Sequence, residues 1–130
     1  ASSMAVGTIW YAPKVFGNTW KGLVGLTDRQ MKKGALRAMA IAFVGSLLTA
    51  FILAHFIFLA HKFFGNNYMQ DAVTTALWLW LGFAAVRFIV HDSFEARPTK
   101  LTLLNVANEF VTILVMAIVI GVFAPPVILQ

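Results

Sequence analysis

RFIVHDSFEARPTKLTLLNVANEFVT, residues 87–112, is the stretch on which the fold turns. An apolar run ends in the charged segment from His91 to Lys100, and a second apolar run begins just after Pro98. The pattern predicts two helices folded back on each other at a short turn. Each carries an ionisable group, Arg87 on the first and Glu109 on the second. Ionisable groups in hydrocarbon are costly, so they face a protein interior, pair, or line a pathway.

Composition makes hydrocarbon the relevant solvent. Of the 130 residues 60% are hydrophobic and 12% charged, against roughly 25% charged in an ordinary soluble domain. A single domain of this length cannot hide that much apolar surface from water. The chain has no cysteine, which excludes disulfides, thiolate metal sites and cysteine nucleophiles. Its net charge of +5 comes from basic residues clustered in the connections beside the apolar runs. That distribution fits membrane orientation better than a nucleic-acid face.

Upstream of the opening stretch, the apolar run before Pro13 has only about 12 residues, or roughly 18 Å of helix, too short to span a bilayer. It reads as the second half of a first transmembrane helix whose beginning is missing. A signal-peptide remnant is the alternative, but no positive start and apolar run precede a cleavage motif. Trp10 and Tyr11 fall where aromatic rings anchor a helix at lipid headgroups, and Pro13 and Gly17 are its expected stops. Lys14, Lys21, Arg29, Lys32, Lys33 and Arg37 follow, against Asp28 alone. Thr27 and Gln30 have capping-box spacing, with Leu26 and Met31 as a hydrophobic staple, so a helix starts near Asp28. It continues past Gly34 into the second apolar segment. There Ala38, Ala42, Gly45, Ser46 and Thr49 form a stripe of small residues suited to close helix packing, against another copy or a helix of the same chain. Gly65-Asn66-Asn67 makes the next turn.

The third segment carries Asp71, Thr74, Thr75 and Trp78, with Asp71 and Arg87 about 160° apart and therefore serving different neighbours. The fourth begins after Pro98 and stops before Pro125-Pro126. On it Thr102, Asn105, Asn108, Glu109 and Thr112 recur at threes and fours as one polar stripe. No internal repeat or low-complexity linker interrupts the chain. The expected fold is an all-α integral membrane bundle with helices near residues 1–13, 28–64, 69–92 and 99–124, three complete and the first partial. Lysine and arginine counts put the connections at 14–37 and 97–100 on one side, cytoplasmic or matrix-like, with Lys62 alone on the other. The setting implied is a bacterial inner membrane or an organelle membrane.

Glu109 lies about ten residues into its helix, roughly 14 Å deep, and Arg87 lies on the antiparallel neighbour, so an ion pair between them is geometrically open. One reading is a proton or ion relay, or a solute site using Asn105, Asn108 and Glu109. The other is a network that locks the helices together. His55 and His61 are six residues apart, which places their rings about 120° from each other on a helix, so they cannot share a metal. His55 alone is a candidate axial ligand for haem or chlorin, weighed against a histidine bonded within the helices. His61 and His91 fall near the two membrane interfaces, where no special role is needed. His91, Asp92 and Glu95 suggest a metal site, but carboxylates that balance Arg97 and Lys100 account for them as well, so no metal is assigned. Nothing has the form of a phosphate loop, a zinc motif or a nucleophile triad. Ser2, Ser3, Ser46 and Ser93 have no convincing base beside them in sequence.

Trp10-Tyr11-Ala12-Pro13-Lys14-Val15-Phe16-Gly17-Asn18-Thr19-Trp20 and Phe94-Glu95-Ala96-Arg97-Pro98, the latter followed by Leu101 and Asn105, resemble two motifs of a family of small four-helix membrane proteins, domain of unknown function 1761. The resemblance covers nearly the whole chain. It implies a four-helix membrane architecture with a full first helix, and it carries over no catalytic residue. At the position of Glu109 it implies a less acidic residue in relatives. The expectation for function is therefore a non-enzymatic membrane subunit, with no cofactor, that packs against copies of itself or inside a larger complex. The alternatives are a small transporter or channel built on Glu109 and Arg87 and, third, pigment or haem binding through His55.

Overall fold

The computed structural model describes residues 2–125. Those residues form helices joined by short turns and contain no strand: α1 (Ser2–Trp10), a π-helical turn (Pro13–Gly17), α2 (Asn18–Val24), α3 (Asp28–Phe64), α4 (Tyr68–Phe94) and α5 (Thr99–Val122). Three of them, α3, α4 and α5, are long and apolar enough to cross a membrane. At 1.5 Å per residue they measure about 55, 40 and 36 Å, against a hydrocarbon thickness of about 30 Å. The surplus of α3 lies at its start, where Arg29, Lys32, Lys33 and Arg37 are exposed. The helices expected near 28–64, 69–92 and 99–124 are therefore present within two residues at each boundary. Ala1, where the first helix was expected to begin, and Pro126 of the double-proline stop lie outside the described residues.

The first segment differs from its expected form. A residue before proline is pushed away from helical dihedrals, and Ala12 is extended at φ −62°, ψ 141°. That ends α1. Proline's fixed φ also suits the first position of a helix, so the chain resumes at once and runs helically to Val24. Gly17 therefore does not stop the helix. Its N–H donates to the Ala12 carbonyl five residues back (3.0 Å), and a Cβ at this position would collide with the Tyr11 carbonyl oxygen. Trp10 and Tyr11, expected as headgroup anchors, pack on the resumed helical course. Trp10 lies 4.6 Å from Phe16 and Tyr11 5.1 Å from Trp20 between ring centroids.

The start of α3 follows its sequence signature. Thr27 Oγ1 accepts from the Gln30 N–H (3.3 Å) and Gln30 Oε1 accepts from the Thr27 N–H (3.0 Å), the two halves of a capping box. Lys21 pairs with Asp28 across the turn. At the far end Gly65 sits at φ +67° and its N–H closes on the His61 carbonyl. Asn67 then caps α4 by accepting from the Met69 N–H (2.9 Å).

The core forms where the three long helices meet near this turn. Leu53 and Ile57 of α3 pack on Ala72 and Ala76 of α4 and on Met116 and Ala117 of α5. Alanine lets helix backbones approach closely, which drives association where lipid is as apolar as the side chains. Farther down, α4 is tied to α5 by Trp80, whose Nε1–H donates to the Val106 carbonyl (3.1 Å) and whose ring meets Phe110 edge-on at 4.8 Å. Thr102 Oγ1 donates to the buried Asp92 carboxylate (2.7 Å) near the 95–98 turn. The apolar side chains left exposed, such as Leu36, Phe63 and Phe83, form the lipid-facing surface.

Gly17→Ala should lower stability by about 1–3 kcal/mol, because the backbone must shift to admit one methyl group. Thermal unfolding in mild detergent measures this; an unchanged midpoint would mean that the turn tolerates a side chain and is not held as described.

Candidate functional site

The polar stripe of α5 divides between two tasks. Thr102 is buried and bonds Asp92 of α4. Asn108, Glu109 and Thr112 face a cavity of about 400 Å³ between α5, α1 and α3, across from Ser3, Tyr11 and Ser46. Asn105 is half-buried on the same helix. Ala38, Ala42 and Ser46 of the small-residue stripe line this cavity too. Gly45, at the stripe's outer edge, has open space where a Cβ would stand. Thr49 lines a second cavity of about 440 Å³, with Leu53, Phe83 and Ile113. Glu109 borders both cavities and is the one residue they share. It makes no hydrogen bond or ion pair among the described residues.

Arg87 is not its partner. The arginine is exposed in a separate groove with Phe88, Val90 and Phe94. The reason is the π turn at Trp80–Ala85, where the Val86 N–H reaches back to the Leu81 carbonyl. On an unbroken α-helix Arg87 would fall about 20° from the buried Ala76, and Asp92 about 160° from it. One π turn inserts a residue and rotates everything beyond it by roughly 100°. Arg87 moves off the core face, while Asp92 moves onto it and meets Thr102. No residue type in the segment announces such an insertion, although Gly82 lies within it.

Two further clusters bear on the histidines. His61 has a partner that sequence reading did not assign: its Nδ1 donates to Asp71 Oδ2 (3.0 Å), and Asn66 Nδ2 donates to Asp71 Oδ1 (3.1 Å). Asp71 is buried, so this network closes the α3–α4 turn. No pattern of residue types on either helix signals this pairing. Asp71 and Arg87 do serve different neighbours. At the other end His91, Asp92 and Glu95 bring ligand atoms within 4.8 Å of one another. Arg97 pairs with both carboxylates, as expected for charges balancing in a turn, and its guanidinium opposes a metal cation there. The hydrogen bond that Arg97 Nε–H donates to the Glu95 carboxylate, together with that carboxylate's negative charge, pushes Arg97 above its already high pKa, so it stays charged. His55 is exposed, and its Nδ1 donates to the Phe51 carbonyl of its own helix (2.9 Å). One ring nitrogen is thereby used within α3.

This architecture defines a small helical membrane protein with a polar cleft between α1, α3 and α5. The chain belongs to the family described as "Protein of unknown function (DUF1761)", which matches residues 1–121. No curated protein and no solved structure matches it.

Asp71→Ala should cost about 2–3 kcal/mol, since it leaves donors of His61 and Asn66 without their acceptor in a partly buried site. Denaturant unfolding of the detergent-solubilised protein measures the loss; a change within error would mean that the network contributes nothing to the hairpin.

Proposed function

We propose that this chain is a non-enzymatic subunit of a membrane assembly, a homo-oligomer or a larger complex, and that it works by packing. What supports this reading is the small-residue face of α3, which no helix among the described residues covers closely. The described core holds α3 through Leu53 and Ile57, with Ala50 packed beside them. Below them its small residues border a cleft whose other walls carry Asn108, Glu109 and Thr112. Polar groups at bilayer depth are not left open to lipid without cost, and a second helix laid along Ala38 to Thr49 covers them. The basic segments at 14–37 and 97–100 then lie on the cytoplasmic or matrix-like side of a bacterial inner membrane or an organelle membrane.

A second reading is favoured by Glu109 as the residue shared by both cavities. A small transporter or channel would use this carboxyl as the junction of a polar path, with Asn108 and Thr112 beside it. Arg87, in its separate groove, has no part in that path. One chain leaves the cleft open along its side, so assembly would also supply the missing wall.

Because the chain has no cysteine, a single Gly45→Cys reports on α3 alone. Oxidation in native membranes should give a disulfide-linked dimer, whereas Phe63→Cys, exposed near the opposite end, should give little. Native mass of the gently extracted particle, with each co-purifying chain identified, decides between a homo-oligomer and a mixed complex. A monomer in both membranes and mild detergent removes the packing reading. Lys33→Cys should react with a membrane-impermeant thiol reagent only from the cytoplasmic or matrix-like side; reaction from the opposite side reverses the orientation.

A further inference from the structure

Several groups bordering the cleft between α1, α3 and α5 have acceptors to spare. Ser3 is 8% exposed, and its Oγ has no hydrogen-bond partner among the described residues; the Oδ1 of Asn108 is buried in the same condition. Glu109 adds a carboxyl with no hydrogen bond or ion pair among the described residues. An amide oxygen and a carboxylate only accept. The Thr8 hydroxyl, also on the cleft, already donates to the Met4 carbonyl (2.8 Å), so only its lone pairs remain. No lysine or arginine lines the space, and Met4 and Met39 contribute apolar wall. The volume of about 400 Å³ is that of a small-molecule site, well beyond what a bare ion fills.

We propose that this cleft binds a small primary ammonium ion carrying a short aliphatic body. Its three N–H donors match Asn108 Oδ1, Ser3 Oγ and the Glu109 carboxylate, and its charge offsets that of Glu109. The aliphatic part lies against Met4 and Met39. A quaternary ammonium supplies the charge without the donors, and an alkali ion leaves the apolar wall unused. This assignment rests on the solute-site reading of Glu109 given above.

The test is calorimetric titration of the natively extracted protein in lipid nanodiscs with n-butylammonium chloride, tetramethylammonium chloride and sodium chloride. Butylammonium should bind saturably and roughly tenfold or more tighter than either of the others, because it alone brings both charge and donors. Glu109→Gln should weaken it by roughly tenfold or more, and Ser3→Ala several-fold, while Arg87→Gln leaves it unchanged. Tetramethylammonium or sodium binding as tightly, Glu109→Gln binding as wild type, or no saturable butylammonium binding would each overturn the proposal. The comparison of the three cations needs no variant, so it stands even where Glu109→Gln does not fold. Flux through reconstituted vesicles separates the two readings. Saturable butylammonium binding without any flux keeps the site and removes transport; proton or sodium flux without ammonium binding removes the site and keeps a path.

Discussion

The contact of Leu53 and Ile57 with Ala72, Ala76, Met116 and Ala117 is the interaction on which the rest of this structure depends. In lipid there is no gain from hiding one apolar side chain among others, so helices hold together where their surfaces fit closely. Alanines on α4 and α5 allow that fit at the Gly65 end, and the His61–Asp71–Asn66 network fixes the turn beside it. Among the described residues no comparable core holds the basic end of α3. The helix stands off from α1 and α5 there, and the cleft that contains Glu109 is the space left behind.

A second constraint acts along α4. The π turn at Trp80–Ala85 resets which face of the helix meets α5 and so permits two locks in succession, Trp80 on the Val106 carbonyl and Asp92 with Thr102. Without that inserted residue Arg87 would point toward the core and Asp92 away from it. The polar stripe of α5 is therefore not one network. Its first turn holds the helix hairpin together, and its middle turns are free to face α1 and α3.

The break at Pro13 has a matching effect on the other wall. By ending α1 at Trp10 and restarting the helix at once, it turns Tyr11 toward Trp20 and places it on the cleft. Ser3 and Thr8 are then carried to the level of Asn108 and Thr112. The proposed packing as a subunit and the proposed cation site are compatible, since a neighbouring helix along α3 would cover the open side of the cleft and leave its polar floor intact.

Sequence by itself determined the membrane setting, the number and bounds of the long helices, the capping box at Thr27 and the turn at Gly65, because each rests on composition, length or a local hydrogen-bond signature. It also marked Asn108, Glu109 and Thr112 as one face, since helical periodicity is a property of a single element. Tertiary structure alone decided what that face meets. A pairing of Arg87 with Glu109, geometrically open on an unbroken α-helix, is removed by the π turn, which rotates one partner away. The continuation of the helix past Gly17 and the bond between His61 and Asp71 were likewise invisible. They depend on backbone approach and on the meeting of two helices, which no local pattern of residue types records.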